Sequence, residues 1–501
     1  MVNSIKINVI GAGIAGLSAG IYARLNGFEV TIFEMGPKAG GVCSSWEREG
    51  YSVNGSILWL AGSAPGIDFY PMWHHLGVLQ DNTIHNHSSF IEYRNIDGID
   101  VHFYVEPEKL RKHLTEISPE DHETIDIFID AIKTFAAANF PMDRALELLN
   151  AWEWVKVFMG NIPVVVTLGK YSQLSIRDFA KKFKSEVLQT AFENFWSSEM
   201  SMVWFLMHLS FAANGTAGFP LGGSGKFAER LVKRFIDLGG KIEYNSKVTK
   251  IVIEGKTAKG ILLENGQQIN SDYIISACDG HTVLHKMLGP KFVDEKTFDV
   301  YNSLRLYPPI VYFSAGIRRD FDNLQSSIIG LNIPLNKSLK VGNITHTRAS
   351  FQIYNFDPTL APKGKTLITS MLDTDYEFWK NLLSQGEDAY RNERAKICHE
   401  LLASLEREFP GITDQVDFMD TATPITYENW TGNHKGSYEG WLPTPSALKI
   451  KLPSHFKNLK YFYMAGHWVM PGGGMPPAAF TGRNCIQLIC KEEKIHFEAE
   501  V

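Results

Sequence analysis

The chain has 501 residues, 44% hydrophobic and 12% aromatic, with a formal net charge of −6 and its signs interspersed. That length supports two domains with substantial cores, and the lack of any Lys/Arg run argues against nucleic acid as a partner. Five cysteines (Cys43, Cys278, Cys398, Cys485, Cys490) without C-x-x-C spacing exclude a zinc site or disulfide framework and suit a reducing compartment.

The first predicted element is an apolar strand, Ile5–Ile10, running into Gly11-Ala12-Gly13-Ile14-Ala15-Gly16 and a helix. In this G-x-G-x-x-G turn Gly11 allows the tight bend and Gly13 lets backbone approach a pyrophosphate. Gly16 lets helix and strand pack closely. The helix N-terminus at Ile14 and Ala15 offers free N–H groups and a positive dipole end. A second strand, Glu29–Phe33, ends on Glu34, where an acidic residue accepts from ribose hydroxyls. Beyond it Met35-Gly36-Pro37-Lys38-Ala39-Gly40-Gly41-Val42 brings a cation, Lys38, and a second bare stretch of backbone. A nicotinamide-only enzyme has no need of that second loop, so the dinucleotide read here is FAD.

Residues 106–217 read mainly as helices, one starting near Pro119–Glu123 with apolar residues at Ile125, Phe128, Ile129 and Ile132. Two apolar stretches follow, Val155–Leu168 and Met202–Ala213, the second containing His208. Both are too short or too broken to span a bilayer, and both are expected in the core. Gly218–Lys226 superficially resembles a phosphate-binding loop, but Pro220 and Phe227 stand where glycine and Ser/Thr are required. It reads instead as a turn into a helix, Lys226–Leu238. Strand-like runs follow around Val248 and at Asp272–Cys278, and residues 300–372 look strand-rich, with Pro309–Phe313 and Thr366–Met371 the clearest. A last strand, Leu459–Gly466, precedes His467-Trp468, the loop Pro471–Ala479 and a helix from about Thr481.

The expected fold class is α/β. A Rossmann-like FAD-binding domain, discontinuous over 1–95, 218–290 and 440–501, joins an α+β substrate domain over 96–217 and 291–439. The first strand leaves no room for a signal peptide, so a cytoplasmic protein is expected, with peripheral membrane contact through an apolar rim left open.

Three segments together resemble the phytoene desaturase family, which includes carotenoid isomerases and retinol saturases within the amine oxidase-like flavoproteins. They are Glu34-x-x-x-Lys38-x-Gly40-Gly41-x-x-x-Ser45, Gly222-Gly223-x-x-Lys226 and Pro471-Gly472-Gly473-Gly474-Met475-Pro476. The resemblance implies a glutathione reductase/amine oxidase type of FAD fold. It also implies that Val248 meets the adenine, that Ala277 borders the cofactor, and that Gly466 and Met475 lie at the flavin. Asn54 stands before Gly55 where the family carries Asp, and both positions are expected to face the isoalloxazine or its approach.

The implied activity is FAD-dependent hydride transfer at carbon–carbon bonds of an apolar polyene or isoprenoid: desaturation, saturation or cis–trans isomerisation. The substrate would lie in an apolar tunnel, for which Trp59, Trp196, Trp204, Phe205, Tyr307, Trp430, Trp441 and Trp468 are candidates. His467 and Trp468 are the candidate catalytic residues; no metal site is expected. A flavin amine oxidase and a lipid-binding escort protein on the same fold are the alternatives.

Overall fold

The computed structural model describes residues 4–80, 82–138 and 142–500. Its first sheet has five parallel strands in the order Lys241–Glu243, Glu29–Phe33, Lys6–Ile10, Tyr273–Ser276 and Phe462–Met464. The central strand buries every residue after Lys6, as expected of a parallel sheet covered on both faces. One cover is helix Ile14–Leu25, which packs against helix Met475–Glu492. Glycine permits that contact, since a Cβ on Gly482 would lie 2.3 Å from the Ala15 carbonyl oxygen. Helix Gly223–Asp237 begins three residues earlier than the sequence suggests, and the C-terminal helix begins six earlier, directly after Gly474. Pro476 and Pro477 fall in its first turn, where an N–H has no intrahelical partner and none is lost.

The second sheet has seven strands, ordered Val416–Ala422, Ile310–Ile317, Thr366–Asp373, Ile344–Ile353, Leu331–Val341, Ser89–Ile96 and Ile99–Tyr104. The boundary drawn at residue 95 therefore runs through a strand of this sheet. Every residue of Ile310–Ile317 is buried. Helices Tyr376–Ser384 and Glu387–Glu408 pack Trp379, Ile397, Leu401 and Leu405 into the core on one face. The other face supplies Asn332, Ser350, Gln352 and Thr369 to a large cavity.

Between Pro107 and Ala213 the described regular elements are all helices, around a phenylalanine-rich core in which Phe195 and Phe205 meet at 4.2 Å and Phe183 and Phe192 at 4.8 Å. Such ring pairs add about 0.5–1.5 kcal/mol each beyond area burial. Ser201 caps helix Met202–Ala213 by accepting from the Val203 N–H. This helix buries Phe205, Leu206 and Leu209 in the core and presents Trp204, Met207, His208 and Phe211 to the cavity.

The stretch Val155–Leu168 is not core. It falls in a hairpin of two helices, Ala151–Gly160 and Ile162–Tyr171, broken at Asn161, with Pro163 accepted in the first turn of the second. Val164 and Tyr171 pack inwards, while Trp152 is 67% exposed, Phe158 57% and Met159 65%. The sequence is apolar all round, but the neighbouring helices cover one side only. Among the described residues no helix is long and apolar enough to cross a membrane.

Candidate functional site

The first strand ends at a turn that the glycines define. Gly11 has φ +96°, and a Cβ there would meet the Ala277 carbonyl oxygen at 3.1 Å. Gly16 is tighter, since its Cβ would stand 1.9 Å from the Gly11 oxygen, whereas a Cβ on Gly13 would touch nothing nearer than Gly41 Cα at 4.0 Å. Gly16 is therefore required by the protein's own packing, and Gly13 leaves open surface. Helix Ile14–Leu25 starts with no side-chain cap, so its first N–H groups are free for an anion. Gly40 lies beside this turn, its N–H donating to Ala12 O at 2.9 Å.

Glu34 is buried, with Oε2 accepting from the Ala12 N–H and Oε1 from the Gly36 N–H, both at 2.8 Å. Burial raises its pKa and these backbone donors oppose the rise. Each oxygen keeps a lone-pair direction for a further donor such as a ribose hydroxyl. The uncapped helix, the bare Gly13 surface and this carboxylate fit an adenine dinucleotide.

The cradle opens into a single cavity of about 1320 Å³. Gly11, Gly13, Ile14, Ala15, Glu34 and Met35 line it, as do Lys38, Gly40, Gly41, Val42, Val248 and Ala277. Gly466, His467, Trp468 and Met475 line it too, Gly466 right beside the cradle, since a Cβ there would lie 3.6 Å from Ala15 Cβ. Gly16 lies behind the turn. Lys38 Nζ donates to Ser45 O at 3.2 Å, and Trp430 Nε1 donates to Gly41 O at the same distance.

Asn54 departs from expectation. Its amide donates to Ile57 O at 2.6 Å and to the Tyr354 hydroxyl at 2.9 Å, and its Oδ1 accepts from Ser224. The side chain is consumed in positioning the helix start at residues 223–225, and only Gly55 of the pair reaches the cavity.

Six of the eight tunnel candidates line the cavity: Trp59, Trp196, Trp204, Tyr307, Trp430 and Trp468. Phe205 is in the helical core, and Trp441 is fully buried against Trp468 and Tyr301. Trp59, Trp196 and Trp204 surround His208 at 5.2–5.6 Å between ring centroids. Burial lowers His208 to about 4 while Nδ1 pairs with Trp204 O at 2.7 Å, so the ring is neutral at pH 7.

His467 sits in a short turn after Gly466. Its Nε2 is buried without a partner among the described residues, and desolvation lowers its pKa to about 4. It is thus neutral and not held by a backbone carbonyl at Nε2. Trp468 is 2% exposed and packs edge-on against Trp441, and its carbonyl accepts from the Tyr301 hydroxyl at 2.7 Å.

Sequence reasoning did not single out Glu439. It lines the same cavity and is half-buried there, and desolvation pushes its carboxyl up to about 8. The available signal was a lone acid within Tyr438-Glu439-Gly440-Trp441, which by itself does not distinguish a surface turn from a buried one.

A parallel sheet, a glycine turn with a free helix start and an apolar cavity beyond it define an α/β flavin-dependent oxidoreductase. Residues 14–490 match the family described as flavin containing amine oxidoreductase, and the chain belongs to that family. It is 25% identical to the chloroplastic prolycopene isomerase of Daucus carota, covering 97% of this chain and 80% of that one. To the lycopene-forming phytoene desaturase of a Paracoccus species it is 23% identical, over 97% of both. Cyclohexylamine oxidase from Brevibacterium oxydans shares the fold at a TM-score of 0.60 and 12% identity, over 98% of this chain and 100% of that one.

Proposed function

We propose that the chain holds FAD and uses it on carbon–carbon bonds of an apolar polyene of isoprenoid type. The observation that carries this reading is the continuity between the glycine cradle and a cavity walled by Trp59, Trp196, Trp204, Met207 and Phe211. Full-length relatedness to a prolycopene isomerase and a phytoene desaturase supports it. The chemistry supplied by bound FAD is hydride transfer at N5.

The protein's part is to bind, orient and exclude water. Backbone at Gly11, Gly13 and Gly41, the helix start at Ile14–Ala15 and the Lys38 cation take the diphosphate, while Glu34 takes the ribose. Val248 and Met35 border the adenine; Ala277, Gly466, Met475, His467 and Trp468 border the flavin and its approach. The cofactor unit comprises 1–88, 218–290 and 440–501, and the substrate unit 89–217 and 291–439, with strand Ser89–Ile96 kept in the second sheet.

The exposed hairpin at 151–171 is the membrane contact of this reading. Trp152, Phe158 and Met159 face outward with Lys156 and Lys170 beside them, a combination suited to the headgroup boundary of a lipid surface. An apolar substrate is dissolved in such a surface.

Anaerobic mixing of the oxidised and the reduced holoenzyme with polyenes, retinoids and amines tests the function. Polyenes should change the flavin spectrum or be converted, and amines should do neither. Flavin reduction by amines with no response to polyenes would replace this reading with an amine oxidase.

A further inference from the structure

Glu439 is held rigidly against the glycine loop. The Gly472 N–H donates to Trp441 O at 3.0 Å, the Tyr307 N–H to Gly440 O at 2.9 Å, and the Gly440 N–H to Ser437 Oγ at 2.9 Å. The Tyr307 hydroxyl donates to Gly472 O at 3.2 Å from the other side. A Cβ on Gly473 would lie 2.4 Å from Glu439 Cγ, and one on Gly474 would lie 3.7 Å from its Oε1. The carboxyl therefore stands beside the Gly473–Gly474 backbone, at the cavity wall. It makes no hydrogen bond or ion pair with the described residues. Half-buried at this wall, the carboxyl faces the cavity with none of the described protein groups committed to it. An acid kept unpaired in a substrate cavity points to a proton-transfer role.

We propose that Glu439 is the catalytic base of this site, its carboxylate taking the proton that a substrate carbon releases as the neighbouring carbon loses hydride. This deepens the reading above and rests on it. The step balances: one C–H bond gives its electron pair and hydrogen to the flavin, which is reduced. The adjacent C–H bond gives its proton to a Glu439 oxygen, and its electron pair becomes the new carbon–carbon π bond. The carboxyl then releases the proton to solvent. A desolvated carboxylate is a stronger base than one in water, which suits it to removing a proton from carbon. The titratable groups facing it are Tyr307, Tyr438 and, across Gly440, His467.

The test compares wild type with Glu439→Gln and Glu439→Asp as holoenzymes, with lycopene-type polyenes of graded saturation as probes. FAD content and polyene affinity, from absorbance difference spectra, should stay within about twofold in the Gln variant. Its flavin reduction should slow by about 10²–10⁴-fold, and Asp should restore part of that loss. The wild-type rate should rise with pH up to about 8, a limb missing from the Gln variant. Independently of turnover, infrared difference titration should show a protonated carboxyl lost near the same pH and absent from the variant. A Gln variant reduced within about threefold of wild type, or one retaining the limb, would overturn the proposal while leaving the function standing. Wild type that takes up FAD but neither binds nor oxidises polyenes would overturn both. Flavin reduction by an amine that ionises the carboxyl would reassign Glu439 as a counter-ion.

Discussion

The cofactor cradle and the helical wall of the cavity solve the same problem, positioning a ligand, with different materials. The cradle is made of backbone. Gly11, Gly13, Gly16, Gly40 and Gly41 bring three stretches of main chain, at 11–16, 40–43 and Ala277, within contact of one another, and Glu34 is the principal side chain committed to it. The wall is made of side chains, with Trp59, Trp196, Trp204 and His208 packed on a phenylalanine core. In the backbone site a Cβ at Gly16 or Gly40 would collide with main chain, which fixes the residue type there. A side-chain site can be refilled by other side chains of similar volume, so it can change substrate without changing fold.

Two glycine variants sharpen this contrast most strongly. Gly16→Ala places a methyl 1.9 Å from the Gly11 oxygen and should lower both thermal stability and flavin retention. Gly13→Ala has room in the protein itself, so it should melt within a few degrees of wild type yet lose most of its FAD, read as flavin absorbance after gel filtration. Equal loss of stability in both variants would break the division between packing glycine and ligand glycine.

Acid should weaken the wall next. His208 and His467 are both held near 4 by burial, below the ordinary value of about 6.5. Below about pH 6.5 the unfolded chain binds protons that the folded protein refuses, so stability is intact above 6.5 and falls as pH drops towards 4. The two histidines together account for a few kcal/mol of that loss. His208→Gln should flatten the slope in chemical denaturation between pH 6.5 and 4.5. An unchanged slope would show that the imidazole is not buried as described.

The smallest effect on stability belongs to the exposed hairpin. Trp152→Glu combined with Phe158→Glu should move stability by no more than about 0.5 kcal/mol, as for other surface changes, while abolishing flotation with phosphatidylcholine–phosphatidylglycerol vesicles. Flotation unaltered by the pair would assign the membrane contact elsewhere.

The same contrast explains what the sequence revealed. The turn at 11–16, the second glycine pair and the loop at 471–476 have fixed spacings because backbone geometry permits few alternatives, so a motif identifies them. Trp441 and Trp468 are adjacent in space and identical in type, yet only Trp468 reaches the cavity; nothing local to either residue separates them. The hairpin at 151–171 has the composition of a core helix, and its exposure follows from what fails to cover it. Asn54 was legible as unusual but not as a clamp on Ser224, since that partner is 170 residues away. Glu439 gains its character from the absence of neighbours, which no linear pattern encodes.

The central claim is that a backbone-built flavin cradle serves an apolar, side-chain-built polyene cavity. Anaerobic stopped-flow mixing of the holoenzyme with matched polyene and amine panels tests it most directly. The account predicts a saturable change in flavin absorbance with polyenes and a flat trace with amines. Rapid bleaching by amines beside a flat polyene trace would contradict it.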